Sequence, residues 1–410
     1  MAENLLISVC RIGVDKMNVL LRSLVLLGFA CGSFFSTSDV FSDESPSPAV
    51  GVNSLQLTLP PEIPLVVGTE FRLWFRNIAM TDDAATCRFE VQCDRGTATA
   101  EHWTFTPAET DIGEHRLTVT ARSANGTPID PPATVETTLR IIAPRSLKLG
   151  NQTKTDLTDQ SPFRLLIVGD SLTHASTYPT EVARLLKASG TNVDLMGTHR
   201  PEGVAEGIAH EGYGGWTWAR FATHYESEPD GTYRKRSSPF VFLDEQKKPA
   251  LSISKYFQTH FSGHTPDAII ILLGINDCFG APPNDVKAMD AHIDQTFLSA
   301  DAVLASLREA APEARIGFCL TPPANARDEA FKANYGDRYP RKGWKAIQHR
   351  LVQRQLEYVA KKNDSKISII PTELNVDPVD GYPDNNGVHP NTIGYHQIAQ
   401  TMFAWLMTPL

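Results

Sequence analysis

The chain has 410 residues, 41% of them hydrophobic and 21% charged, with a formal net charge of −9 at pH 7. That length leaves room for two domains, and the composition is that of an ordinary folded protein. A negative chain argues against nonspecific nucleic-acid binding, which needs a positive surface.

Residues 1–36 read as a leader. Leu24 to Phe35 is apolar and uncharged, and Arg11, Lys16 and Arg22 precede it. Its length fits a secretory signal and is short for a membrane span, so an exported protein with no stable membrane span in its mature form is expected. A start at Met17 would give this signal more usual proportions. Cys31 raises a lipoprotein anchor, but Gly28-Phe29-Ala30 lacks the usual leucine, which argues against one. Residues 37–51, rich in Ser, Pro and Asp, read as a linker.

From 52 to 143 apolar residues recur at period 2. Leu55–Leu59, Phe71–Phe75, Cys87–Cys93, His115–Ala121 and Val135–Ile142 are predicted strands, and Asn125-Gly126 and Pro131-Pro132 are predicted turns. Short strands without intervening helices predict a small all-β sandwich, similar in architecture to immunoglobulin-like modules. Trp74 and Trp103 suit either its core or a sugar-stacking face. Cys87 and Cys93 lie about 20 Å apart along one strand, too far for a disulfide, and read as buried free thiols. Cys278 and Cys319 read as packing residues, and no cysteine or histidine spacing suggests a metal.

Residues 144–160 read as a second linker, and 161–410 as an α/β domain. Predicted strands at Arg164–Val168, Val193–Met196, Ala268–Leu273, Ile316–Leu320 and Ile367–Ile370 alternate with predicted helices at Thr180–Ser189, Asp290–Ala311, Gly343–Lys362 and Gly394–Leu406. The alternation predicts a parallel sheet with helices on both faces. Phe221 to Gly263 reads as an insertion of little periodicity that overhangs the site.

The chemistry gathers at strand ends. Leu165-Leu166-Ile167-Val168 is a strand covered on both faces, and it runs into Gly169-Asp170-Ser171-Leu172. Ser171 then sits at the carboxyl edge of the sheet, where open α/β sheets bind ligands. A second buried strand ends in Gly274-Ile275-Asn276-Asp277, and Gly387-Val388-His389-Pro390-Asn391 precedes the last helix. Acyl transfer needs a nucleophile, a base and donors for an oxyanion, and Ser171, His389 and Asn276 are the residue types that supply them.

With Gly212-Tyr213-Gly214-Gly215-Trp216-Thr217, these segments resemble the four blocks of the GDSL, or SGNH, hydrolase superfamily, over roughly residues 161–410. The resemblance implies a flavodoxin-like three-layer sheet and a serine-dependent ester hydrolase that needs no cofactor. Ser171, Gly215 and Asn276 would form its oxyanion hole. The family usually has an aspartate three residues before the histidine, where this chain has Asn386. Asp384 could fold back to orient His389; Asn386 is the alternative.

Around this core, Trp216 is a candidate sugar platform, with Trp218 equally open between a sugar and a loop buttress. Asp170 reads as ordering its loop, Asp277 as support for Asn276, and His199 and His210 as loop histidines. The basic, aromatic run Arg338 to Lys345 stands out in an acidic chain, and Arg338 and Arg341 are candidates for an anionic substrate. Export and the β module favour a carbohydrate O-acetyl esterase, the partner being a small-molecule or polysaccharide ester. The alternatives are a lipid-directed acylhydrolase or thioesterase, an acetyltransferase, or a glycan-binding protein with weak or no turnover. The sequence leaves the oligomeric state open.

Overall fold

The computed structural model describes residues 55–81, 86–124, 128–147 and 161–409. The leader with Met17 and Cys31, the linker 37–51 and most of 144–160 lie outside the described residues, as does the Asn125-Gly126 turn. The chain from Val52 to Leu410 forms one compact unit.

Residues 163–409 build an α/β layer structure on five parallel strands. In spatial order these are Val193–Met196, Phe163–Gly169, Ala268–Leu272, Arg315–Cys319 and Ile367–Ile370. In chain order that is 2-1-3-4-5, a doubly wound arrangement whose crevice opens beyond the carboxyl ends of the first and third strands. The two-residue strand Glu211–Gly212 pairs with the end of the first strand, Val168 facing Glu211 and Gly169 facing Gly212. Leu165 to Val168 and Ala268 to Leu272 are essentially inaccessible. Each such aliphatic side chain contributes about 1.5–3 kcal/mol of burial, enough for this pair of strands to anchor the site.

Close packing dictates several glycines. A Cβ on Gly317 would lie 2.3 Å from Ile370 Cδ1, so the adjacent strand and its covering helix leave room for no side chain there. The helices Thr177–Ala188, Val286–Ala310, Arg341–Ala360 and Thr392–Met407 agree with the apolar periodicity, with ends shifted by a few residues. The stretch 221–263 is more regular than its sequence suggests. It carries a hairpin, Val241–Leu243 with Pro249–Leu251, and a helix, Ile253–Phe261, capped by Ser252 on the Lys255 N–H at 3.3 Å. Both are too short for periodicity to reveal.

Residues 56–142 form strands that mix parallel and antiparallel pairing. One sheet runs Glu62–Val66, Pro128–Ile142, Gly113–Ser123, Cys87–Gln92; a second runs Phe71–Trp74, His102–Phe105, Thr97–Ala98. Pro131-Pro132 does not end a strand. The ladder jumps from Ala121–Ala133 to Arg122–Pro128, and the prolines, which lack an N–H, fall in that irregularity. Trp74 and Trp103 are core residues, and Trp103 donates its indole N–H to Arg95 O at 3.1 Å. Cys87 and Cys93 are half-buried, not buried, because they sit at the two ends of an edge strand; all four described cysteines are free.

This strand-rich part is welded to the α/β part. Leu374 belongs to its hydrophobic cluster, Thr58 Oγ1 contacts His349 Nε2 at 3.2 Å, and the Asn77 amide donates to Glu373 O and Val376 O at 2.9 and 2.8 Å. Among the described residues, no helix is long and apolar enough to cross a membrane, and no group of three or more His, Cys, Asp or Glu side chains could hold a metal ion.

Candidate active site

Ser171 opens a one-turn helix, Ser171–His174, directly after the first strand. Asp170 caps it by accepting the Leu172 N–H at 3.0 Å. Gly169 is required by space: a Cβ there would lie 1.8 Å from Thr173 Oγ1 and 2.9 Å from Leu272 O. The turn is therefore tight because its own helix folds back on the strand end, and no left-handed conformation at Gly169 is involved.

His389 arrives from the far end of the chain. Its Nε2 lies 2.9 Å from Ser171 Oγ, and its Nδ1 lies 3.1 Å from Asn386 Oδ1. The same Oδ1 accepts the backbone N–H groups of Val388 and His389 at 3.2 and 3.0 Å. Backbone N–H groups only donate, so the Asn386 atom facing them is the carbonyl oxygen, and His389 Nδ1 must carry a proton to bond with it. The neutral ring then has its lone pair on Nε2, facing the serine hydroxyl. An asparagine thus fixes the tautomer of the His389 ring, but supplies no charge to an imidazolium. Burial lowers the His389 pKa, which keeps the ring neutral.

Asp384 does not fill the acid position. Its side chain is 90% exposed and faces Arg327 at 3.5 Å. The loop is held instead by Asn325, whose amide donates to Pro383 O and Asn386 O at 2.9 and 3.0 Å and whose N–H donates to Gly387 O at 3.0 Å. With these bonds formed, the chain two residues before Asn386 points outward.

Asn276 lies in the turn of helix Ile275–Cys278, entered through Gly274 at φ +128°. One Nδ2–H donates to Trp216 O at 3.0 Å, leaving the other for a ligand. Asp277 Oδ1 accepts the Trp218 N–H at 3.0 Å, so Asn276 and Asp277 clip the two sides of one tryptophan turn. Gly215, at φ +76°, is exposed in the preceding turn, where a side chain would be strained. Trp216 and Trp218 are fully buried, so neither can stack on a sugar. Trp216 packs on Tyr213 and Phe221, under the Arg220 guanidinium.

Two acids lie beneath. Asp170 is buried and Asp277 half-buried, and Oδ2 of each is inaccessible to water with no hydrogen-bond partner among the described residues. Burial raises both carboxyls to about 7, with the charge of Asp277 a smaller contribution to the rise at Asp170. Burial likewise pushes the Cys278 thiol up to about 12, leaving it inert as a nucleophile.

Glu211 was not legible as a site residue. It is buried, accepts the Thr198 N–H at 2.5 Å and the Tyr256 hydroxyl at 2.7 Å, and is also bonded by Tyr213. A carboxylate directly before a glycine-rich block was the only available signal. His210 and His199 behave as structural histidines near the rim. His210 Nε2 lies 2.8 Å from Ser176 Oγ, and His199 Nε2 lies 3.0 Å from His174 Nδ1. Burial lowers them to about 3 and about 4. Arg341 pairs with Asp328 at 2.8 Å, and Arg338 lies over the Tyr339 ring at 5.0 Å.

No family model matches the chain, and no curated protein matches it. Among solved structures it is similar to a carbohydrate esterase family 3 protein from Talaromyces cellulolyticus, at 17% identity and a TM-score of 0.36, over 59% of this chain and 95% of that one. It is also similar to a family two carbohydrate esterase from Clostridium thermocellum in complex with cellohexaose, at 13% identity and a TM-score of 0.34, over 84% and 93% of the two chains. A lipase/acylhydrolase from Enterococcus faecalis matches at 14% identity and a TM-score of 0.34, over 60% and 98%.

Proposed function

We propose that the chain is an ester-bond hydrolase of the GDSL/SGNH type that works through an acyl-enzyme on Ser171. The observation that carries this reading is the line Ser171 Oγ, His389 Nε2, His389 Nδ1, Asn386 Oδ1, with contacts of 2.9 and 3.1 Å. Ser171 Oγ attacks the ester carbonyl carbon as its proton moves to His389 Nε2. The oxyanion accepts bonds from the N–H groups of Ser171 and Gly215 and from the free Nδ2–H of Asn276. The intermediate collapses, the C–O bond to the alcohol breaks, and His389 returns the proton to that alcohol. Water, deprotonated by His389, attacks the acyl-enzyme in the same way and releases the carboxylic acid.

The substrate we favour is an O-acetylated carbohydrate outside the cytoplasm. Supporting it are the leader-like residues 1–36 and a hydrogen-bonding wall one turn beyond Ser171, where His174 packs on Tyr233 at 4.3 Å and on His199 at 4.9 Å. Such a wall suits hydroxylated rings better than a long acyl tail. Residues 52–143 are then an immunoglobulin-like β-sandwich set before a catalytic domain of residues 161–410.

The test is hydrolysis of aryl acetates by residues 37–410, with mass spectrometry after exposure to a fluorophosphonate. Acetate release, together with one phosphonate adduct on Ser171, supports the reading. Absence of both turnover and adduct rejects it in favour of a binding protein. A preference for long-chain over acetyl esters rejects the carbohydrate part.

A further inference from the structure

Arg76, Arg341, Lys342 and Lys345 line a single cavity of about 290 Å³ where the strand-rich part meets the α/β part. No carboxylate is among the described residues that line it. For a chain of net charge −9, four cations around one small cavity is an uphill arrangement. Among the described residues, only Arg341 of these four pairs with a carboxylate, Asp328 at 2.8 Å. Lys345 Nζ is enclosed and donates to two carbonyls, Arg76 O at 2.7 Å and Asn77 O at 3.5 Å. Burial and the charges of Arg76 and Arg341 lower the Lys345 ammonium to about 7, as expected of a cation lacking a counter-charge.

The backbone adds to the same field. Arg341–Ala360 begins at this cavity, its first turn contains no acidic residue, and Pro340 gives it no side-chain cap. A helix start normally attracts negative charge, and this one carries Arg341 and Lys342 instead. Asn77, also on the wall, is only 3% exposed and spends its amide on Glu373 O and Val376 O, which fixes this side of the cavity. The opposite wall includes Asn325, which is bonded to the loop that carries Asn386 and His389.

We propose that this cavity binds the carboxylate or sulfate group of an acidic sugar, with Arg76 and Lys342 as its accessible cations. The anion supplies a counter-charge that no described lining residue provides. The assignment to a sugar rests on the esterase reading; the assignment to an anion does not.

Calorimetry with glucuronate, glucose and inorganic sulfate tests it without any turnover. The expected result is that glucuronate binds, glucose does not, and sulfate binds at least tenfold more weakly than glucuronate. R76Q/K342Q should weaken glucuronate at least tenfold and leave aryl acetate hydrolysis within twofold of the parent. Equal binding of sulfate and glucuronate would overturn the sugar, and equal binding of glucose would overturn the anion. No binding by the parent, or glucuronate binding unchanged in R76Q/K342Q, would overturn the site. Asp82 and Asp83 lie outside the described residues. Binding that appears only in D82N/D83N would assign the cations to the chain's own carboxylates and end the proposal. A protein without esterase activity that still binds glucuronate would refute the function and leave the site standing.

Discussion

The line Ser171–His389–Asn386 and the pair Asp170–Asp277 lie at the same edge of the sheet and handle scarce water in opposite ways. Along the line every polar contact is made and no formal charge is present; Asn386 Oδ1 alone accepts three N–H groups. In the pair, each carboxyl keeps one oxygen without a partner among the described residues, and burial pushes both up to about 7. A neutral amide is thus sufficient to aim the His389 ring, because aiming needs only a fixed acceptor. The carboxyls are tolerated because protonation removes the charge that burial penalises.

The comparison breaks first at the nucleophile. Ser171→Ala should lower kcat on an aryl acetate by about 10⁴-fold or more, since removing a nucleophile leaves only binding and oxyanion stabilisation. Residual turnover within tenfold of the parent would move the chemistry elsewhere.

Asn386→Asp keeps the acceptor geometry and adds the charge that the line lacks. A negative group beside Nδ1 stabilises the imidazolium, so kcat should rise by roughly 10–100-fold at pH 8, and the acidic limb of the rate profile should move to higher pH. In the parent that limb lies below 6.5, because burial lowers His389 from that value. An unchanged profile would mean that His389 is not the base.

Asp277→Asn sharpens the other side. The folded protein holds protons on Asp170 and Asp277 up to about pH 7, whereas an ordinary aspartate releases its proton near 3.8. Stability from these groups is therefore full at acidic pH and is lost as pH rises from about 4 to 7. The variant keeps an Oδ1 for Trp218 and escapes that loss, so it should be more stable than the parent by about 4 kcal/mol at pH 8 and nearly equal at pH 4. Urea unfolding at both pH values checks this, and a difference independent of pH would refute the burial argument.

The smallest effect is expected at Asp384. Asp384→Ala should change kcat by less than about twofold, because an exposed carboxylate facing Arg327 is screened by water. A loss of 10²-fold would return Asp384 to the role of orienting acid.

The parallel sheet was readable because its strands, Leu165–Val168 and Ala268–Leu272, are buried on both faces and so carry unbroken apolar runs. The nucleophile, the asparagine and the histidine were readable because each stands at the end of such an element. Short elements such as Ile253–Phe261 were not, because a helix of little more than two turns gives no usable period. The roles of Trp216, Asp384 and Glu211 were not readable either. Local pattern says which residue types are near a strand end, but burial and pairing depend on partners tens to hundreds of residues away. The sequence by itself determined the strands of the parallel sheet and the order of the blocks that carry Ser171, Asn276 and His389. Tertiary structure alone decided that Asn386 rather than Asp384 holds the histidine, that Trp216 supports Asn276 rather than a sugar, and that Arg76 meets Lys342 and Lys345 around one cavity. Each of those outcomes turns on side-chain direction and on access to water, which a one-dimensional pattern does not contain.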